Sequence, residues 1–436
     1  LKIPTFIKTN LLLKITSVNA LVIGIRLVIS FFIQRLYAQL VGEAGIYKIG
    51  QLQTLIQMLT SITTLGVFNG VVKYVSEHKE DKEQLQKLFS TSFVFVTIGS
   101  VLASVTLFAF SGYWSEYLFS SQEFVYLIKL VAIIVPFVAV QRVFNGVVNG
   151  LSKYKKFAKI ELVSYVLSAA LLIYFLFEYN IDGALVAIAI TPAIQFLVML
   201  FLFLKVLREY VQFEKISFKI PLAKSLLAFA LMSFVSTVLL GFVEIDIRDM
   251  LANKMTEADA GIWTAMTNIS KNYMVFSGTL FTLYVIPKFA SIYTKADFTK
   301  ELFTIYKTLL PIFGVGMLIV YFFREFIIEL IYPGFNEMAS LFKWQLLGDF
   351  VRLGSLVLAH QFLAKKMVRN FIFSEILSLA LFYGLSYYLV DGYGVEGVVL
   401  AHFLRYIVYF FVVFFLVYRY FNLQKKKKSS GIETSD

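Results

Sequence analysis

Apolar residues run along this chain in stretches of about 20–28, separated by short polar breaks. Each stretch is long enough to cross a hydrocarbon core of about 30 Å as a helix. The runs are continuous rather than alternating, which argues against the apolar-out, polar-in strands of a β-barrel. The pattern predicts helices over residues 10–38, 46–75, 87–110, 124–149, 159–179, 182–206, 224–250, 261–287, 304–323, 338–363, 370–389 and 396–421. The expected fold class is an all-α polytopic membrane protein with twelve transmembrane helices. The first run reads as a retained transmembrane helix: Lys2, Lys8 and Lys14 precede it, but no small-residue cleavage site follows a short apolar core.

The two halves echo each other. Glu43-Ala44-Gly45-Ile46-Tyr47 opens the second helix, and Asp259-Ala260-Gly261-Ile262-Trp263 opens the eighth. Tyr179-Asn180-Ile181-Asp182-Gly183-Ala184 precedes the sixth helix, and Tyr393-Gly394-Val395-Glu396-Gly397-Val398 precedes the twelfth. Leu127-Ile128-Lys129 is matched by Leu341-Phe342-Lys343. The separations fall at about 214–216 residues, half the chain, on equivalent helices. A shift of six helices preserves orientation, so the halves are expected to be parallel six-helix repeats. Such repeats are related by an axis along the membrane normal, with the binding site between them. The expected organisation is an N-terminal lobe over 1–206, an inter-lobe linker over 207–223, a C-terminal lobe over 224–421 and a basic tail over 422–436.

Charge in the loops sets the orientation. Lysines and arginines crowd alternate connections, including Lys73–Lys87, Lys153–Lys159, Lys205–Lys224, Lys288–Lys307 and Lys365–Arg369, and the tail Lys425–Lys428. The opposite loops are nearly bare: Gly112–Glu123, Tyr179–Gly183 and Asp391–Gly397 contain no Lys or Arg. The positive-inside rule then places both termini in the cytoplasm. The composition agrees: 59% of the 436 residues are hydrophobic and 16% charged, too apolar for a soluble domain. The net charge of +12 lies mostly in these connections, which argues for membrane topology rather than nucleic acid. With no cysteine, disulfides and thiolate metal sites are excluded. No nucleotide-binding loop or metal-ligand constellation is present, and no cofactor is expected.

Five cations interrupt apolar segments: Arg26, Arg142, Lys271, Arg352 and Arg405. At mid-bilayer each costs roughly 2.5–3.5 kcal/mol, so they must face carboxylates or a watery cavity. Polar neighbours recur at helical spacing: Asn19, Arg26 and Ser30; Arg142, Asn145 and Asn149; Thr264, Asn268 and Lys271; Gln345, Asp349 and Arg352; His402, Arg405 and Tyr409. The second helix carries Gln53, Gln57, Thr60 and Thr64 on one face. Such stripes suit a cavity that hydrogen-bonds a hydroxyl-rich ligand, or else glue helices together. Asp349 and Arg352, three residues apart, either neutralise each other or meet a ligand. Arg142 either faces the cavity or snorkels, and His402 reads first as a hydrogen-bonded packing residue. Arg248 sits among Glu244, Asp246 and Asp249, so a local ion network is its first reading. Arg26 has no acid within a helical turn. The excess of basic over acidic residues inside the helices fits a phosphate-bearing anion, which arginine binds bidentately.

The segments Gly66-Val67-Phe68-Asn69-Gly70-Val71-Val72-Lys73-Tyr74 and Trp344-Gln345-Leu346-Leu347-Gly348-Asp349, with the helix count and the duplication, resemble the O-antigen and enterobacterial-common-antigen flippases. These belong to the multidrug/oligosaccharidyl-lipid/polysaccharide exporter superfamily, with the lipid II flippases and the MATE drug exporters. The resemblance spans nearly the whole chain. It implies a V-shaped, MATE-like bundle around a cationic cavity. The implied substrate is a polyprenyl-pyrophosphate-linked oligosaccharide, moved from the cytoplasmic to the periplasmic leaflet of a bacterial inner membrane. Arg26 falls where such flippases carry a basic residue, as do Arg352 and Arg248, whereas Lys271, Arg142 and Arg405 depart from that pattern. Membrane lipids and glycan polymerase machinery are the implied partners, with no nucleic acid and no enzymatic role. Two other readings stand beside this one: a cation-coupled multidrug antiporter on the same fold, and a membrane glycan polymerase or ligase.

Overall fold

The structure, a computed structural model, describes residues 11–151 and 154–429. Expectations resting on Lys2, Lys8, Lys14 and Lys153, and on the side chains of Asn19 and Lys425–Lys428, lie outside what it describes. The elements in order are α1 (Leu11–Leu40), α2 (Gly42–Ile62), α3 (Phe68–His78), α4 (Lys82–Ala109), α5 (Ser111–Phe119), α6 (Val125–Gly150) and α7 (Tyr154–Tyr210). There follow α8 (Ala223–Ser233), α9 (Leu240–Lys254), α10 (Glu257–Leu280), α11 (Ile286–Ala290), α12 (Lys295–Phe322), α13 (Arg324–Ile331), α14 (Met338–Ala364) and α15 (Val368–Ser429). Short π-helical stretches, Phe234–Leu239 and Phe281–Val285, join α8 to α9 and α10 to α11. Among the described residues there is no strand.

Among the described residues, eight helices are long and apolar enough to cross a membrane, and two of these run over 56 and 57 residues because each is a pair joined across a kink. Joining the end-to-end pieces and separating the limbs of α7 and α15 gives twelve long helical segments among the described residues. Ile98, Val101, Leu102, Val105 and Phe108 leave an apolar face of α4 uncovered, and Ile312, Val315, Leu318, Ile319 and Phe322 do the same on α12. In a chain of this composition such faces are what lipid covers.

The kinks lie at Asn180 (φ 52°, ψ −133°) and Gly394 (φ 56°, ψ −140°), 214 residues apart. Eight residues of straight helix would span about 12 Å. Instead, a Cβ on Gly183 would run into the Phe175 carbonyl, and one on Gly397 would stand 2.5 Å from the Leu389 carbonyl. The chain therefore folds back on itself at both places, and only glycine admits the approach. The Tyr126 hydroxyl donates to Asp182 at 3.0 Å at the first hairpin tip, and the Lys254 ammonium donates to Asp391 at 2.7 Å at the second. The duplication read from sequence is thus also a duplication of backbone geometry.

The chain forms two compact units, one ending at Ile245 and one beginning at Asp246. The first is built around Val67, Val71, Val75, Leu88, Phe89, Val143, Val147, Phe203 and Leu207, from α3, α4, α6 and the second limb of α7. The segment after α7 docks on α4: Ser90 Oγ accepts from the Ser217 amide at 3.2 Å, and Thr91 Oγ1 from the Leu222 amide at 3.3 Å.

The structure departs from the predicted elements at three places. The second helix breaks between α2 and α3, where Leu65 (φ 47°) and Gly66 (φ 66°) take left-handed conformations. Gly66 N–H reaches back to the Ser61 carbonyl at 2.9 Å and Leu65 N–H to the Ile62 carbonyl at 3.1 Å, a Schellman ending. The ninth predicted helix starts at Lys295 because Thr294 caps it, accepting from the Asp297 amide at 3.1 Å while donating to the Asp297 carboxylate at 2.6 Å. Its first turns are polar, so hydrophobic periodicity passed over them. Two short helices, α5 and α13, occupy stretches where no helix was expected.

Candidate functional site

In the first unit, Arg26 lies midway along α1. Its Nη1 donates to Glu161 Oε2 at 2.8 Å, and its guanidinium stands 4.9 Å from the centre of the Tyr165 ring. Glu161 and Tyr165 are one turn apart on α7, so both present to α1 together. The two charged side chains keep 41% and 25% of their exposure, so the pair is accessible rather than sealed. On α6, Arg142 lies over the Phe68 ring at 3.8 Å, and Glu161 also acts on it electrostatically. Two guanidiniums thus share the influence of one carboxylate.

Polar groups continue around this cluster. Gln141 donates to Gln195 at 3.2 Å. Asn145, one turn from Gln141, is buried, and its Oδ1 meets no hydrogen-bond donor among the described residues. Asn149 donates to the Asn145 carbonyl at 2.9 Å. Gln53 and Gln57 are exposed, one turn apart on α2, while Gln51 on another face is buried and donates to the Ile245 carbonyl at 3.4 Å.

The second unit holds a different arrangement. Asp349 on α14 is fully buried. Its Oδ2 accepts from Ser270 at 2.6 Å, from Gln345 at 3.1 Å and from the Tyr273 hydroxyl, while Oδ1 meets His402 Nε2 at 3.1 Å. Arg405 Nη2 lies 3.2 Å from His402 Nδ1. A guanidinium only donates, so Nδ1 accepts and Nε2 carries the proton that His402 gives to Asp349. Arg352 comes no closer to Asp349 than 3.8 Å, a looser contact than the four donors make. Arg405 is buried, packed over Phe382 at 3.9 Å and Tyr406 at 4.5 Å. Tyr409 donates to Glu375 at 2.6 Å. Four donors thus satisfy the buried Asp349 carboxylate, and removing one would leave part of its charge uncompensated.

The remaining candidates separate by burial. Arg248 is buried, donates from Nε to Thr264 at 3.1 Å and lies 5.3 Å from the Trp263 ring centre. Asn268 hydrogen-bonds Tyr332. Lys271 is exposed, and Arg352 keeps 30% of its side-chain exposure. Among the described residues, no cluster of His, Cys, Asp or Glu could hold a metal ion.

A family model described as polysaccharide biosynthesis protein matches residues 12–293. The chain belongs to that family. The lipid III flippase of Escherichia coli (strain K12) is 28% identical over 380 residues, covering 86% of this chain and 91% of the relative. The lipid III flippase of Shigella flexneri matches to the same extent. Among solved structures, the lipid II flippase MurJ in an inward closed conformation superposes with a TM-score of 0.71 at 14% identity, covering 91% of this chain and 87% of that one. An inward-facing MATE multidrug transporter of the MOP superfamily gives 0.69 at 14% identity, covering 90% and 94%. At that identity the likeness establishes the fold: an all-α, MATE-like, multi-pass membrane protein.

The geometry also explains both segments that carry the family resemblance. Gly66 must be glycine, because its φ is +66° and a Cβ would stand 2.8 Å from the Ala230 Cα and 2.7 Å from the Ser233 Cβ. Two residues on, Phe68 supplies the ring under Arg142. In the other segment, Trp344 Nε1 donates to Glu396 at 2.8 Å, and Gln345 and Asp349 enter the buried network. Sequence reasoning missed Glu161, Tyr165, Ser270 and Tyr273. Glu161 falls two turns inside α7, whose start the apolar pattern put at residue 159, so it lay at the edge of the predicted helix. Its partner lies 135 residues away, beyond any spacing rule.

Proposed function

We propose that this chain is a flippase that carries a polyprenyl-pyrophosphate-linked oligosaccharide from the cytoplasmic to the periplasmic leaflet of the bacterial inner membrane by alternating access, with both termini in the cytoplasm. The observation that carries the reading is Arg26. It sits midway along an apolar helix, accessible, and held by one carboxylate that also acts on Arg142. The lipid III flippase relatives support a transporter rather than an enzyme.

In the resting protein Glu161 neutralises part of the local charge. A diphosphate carries more negative charge than one carboxylate and matches the guanidinium fork, so it competes for Arg26 and Arg142. Gln53 and Gln57, both exposed, are the groups of this unit suited to sugar hydroxyls, whereas Asn145 is buried and acts through packing. In the second unit, Lys271 and Arg352 keep exposure and can meet a ligand, as can Asn268. Arg248, Arg405 and Asp349 are buried and act through the packing that holds those residues. The polyprenyl tail stays in the bilayer. An inside-negative potential favours outward movement of an anion by about 2.3 kcal/mol per charge per 100 mV.

A cation-coupled drug antiporter needs an interior carboxylate ready for a cationic ligand. Glu161 instead lies 2.8 Å from Arg26, which disfavours that reading. The deciding experiment is complementation of a strain lacking its lipid-linked oligosaccharide flippase. The wild-type chain restores surface glycan, and Arg26→Ala leaves the lipid-linked precursor accumulated at the inner leaflet. Drug resistance without glycan export would favour the antiporter.

A further inference from the structure

Outside this site, one cavity of the second unit is lined in a way that the transport reading does not use. It measures about 710 Å³ and lies where the start of α15 meets the later turns of that same helix. Lys366, Arg369 and Arg419 line it, together with the apolar side chains of Phe373, Leu416 and Leu423. All three cations are exposed, and among the described residues none of them makes an ion pair. Phe373 and Leu423 are half exposed, at 54% and 50%, so the apolar wall is open.

Basic residues at helix ends serve topology, and topology needs only that they lie on one side of the membrane. It does not require three of them to line one cavity with no carboxylate among its described lining residues. Two further observations single the place out. Lys366 holds a left-handed backbone (φ 52°) in the turn before α15, a conformation unfavourable for a lysine. The 214-residue offset that relates the two kinks also relates Arg369 to Lys155 and Arg419 to Lys205, both basic and both exposed. The first turn of α15 adds the partial positive charge of a helix N-terminus to the same spot.

We propose that this cavity binds the phosphate headgroup of an anionic phospholipid, with one acyl chain along Phe373, Leu416 and Leu423. On the orientation that the loop charges predict, the lipid belongs to the cytoplasmic leaflet. An unpaired basic cavity beside an open apolar wall fits a ligand that is anionic at one end and hydrocarbon at the other. The proposal is independent of the transported substrate.

The test uses the purified full chain in neutral detergent, following its melting temperature as lipid is added. Phosphatidylglycerol raises the melting temperature in a saturable way, and phosphatidylcholine does not. The variant Lys366→Gln/Arg369→Gln/Arg419→Gln loses the rise, with binding on the order of 100-fold weaker for three removed charges. If that variant does not fold, Arg369→Gln alone, read the same way, shows a smaller rise. Equal stabilisation of wild type and variant overturns the proposal, as does equal stabilisation by phosphatidylcholine. Complete competition by inorganic pyrophosphate at the phospholipid's own concentration overturns it too, because the site would then be a free-anion site.

Discussion

The guanidinium of Arg26 and the carboxylate of Glu161 meet at 2.8 Å although 135 residues separate them. An arginine this deep in an apolar helix would cost about 2.5–3.5 kcal/mol without compensation, and the carboxylate offsets part of that cost. Exchanging the two residues distinguishes a structural pair from a transport site. Arg26→Glu with Glu161→Arg keeps the attraction but moves the positive charge to another helix. We expect normal membrane levels and no glycan export from the exchanged protein. Restored export would mean that the pair is structural only. Arg26→Lys keeps the charge but loses the planar fork, and we expect export reduced about tenfold.

Asp349 accepts from Ser270, Tyr273, Gln345 and His402 at once. Asp349→Asn removes the charge these donors and the nearby arginines balance, and should destabilise the second unit by about 3–5 kcal/mol. Tyr273→Phe removes one donor and should cost about 1 kcal/mol. The measurement is the shift of thermal unfolding in detergent. A network that acts only in transport would leave unfolding unchanged in both variants.

Gly66→Ala places a methyl group 2.8 Å from the Ala230 Cα on a backbone with positive φ. Strain of about 1–3 kcal/mol from the backbone adds to the steric cost. The variant should unfold at a lower temperature and accumulate poorly in membranes. Unchanged abundance would show that the contact between the turn after α2 and α8 yields.

Asn180 occupies the backbone conformation that its counterpart Gly394 adopts as glycine. Asn180→Gly should therefore raise stability by about 1 kcal/mol, the relief of strain outweighing the extra freedom of the unfolded chain. Asn180→Val should lower it, because a β-branched residue tolerates positive φ poorly. Paired melting curves of the two variants check the sign.

The helices were legible because their apolar runs are long, and the duplication was legible because its echoes sit at one offset. The break after Ile62 was not, since Leu65 takes a left-handed conformation that no propensity marks. The buried network was half visible: Gln345, Asp349 and Arg352 share a helix, as do His402 and Arg405, but Ser270 and Tyr273 come from a third. Spacing finds residues on one face of one helix. It does not find an acid such as Glu161, which a different helix brings to that face.

The hairpins at Asn180 and Gly394 bear on how the protein is made. Each joins two apolar helices with almost no connecting chain, so the second limb has only one place to go once the first is in the membrane. The fold-back at Gly183 and Gly397 leaves no slack between the two limbs of α7 or of α15, so within each pair neither limb can shift in depth without the other. Each half of the chain thus holds one pair of helices that move through the membrane as a single unit.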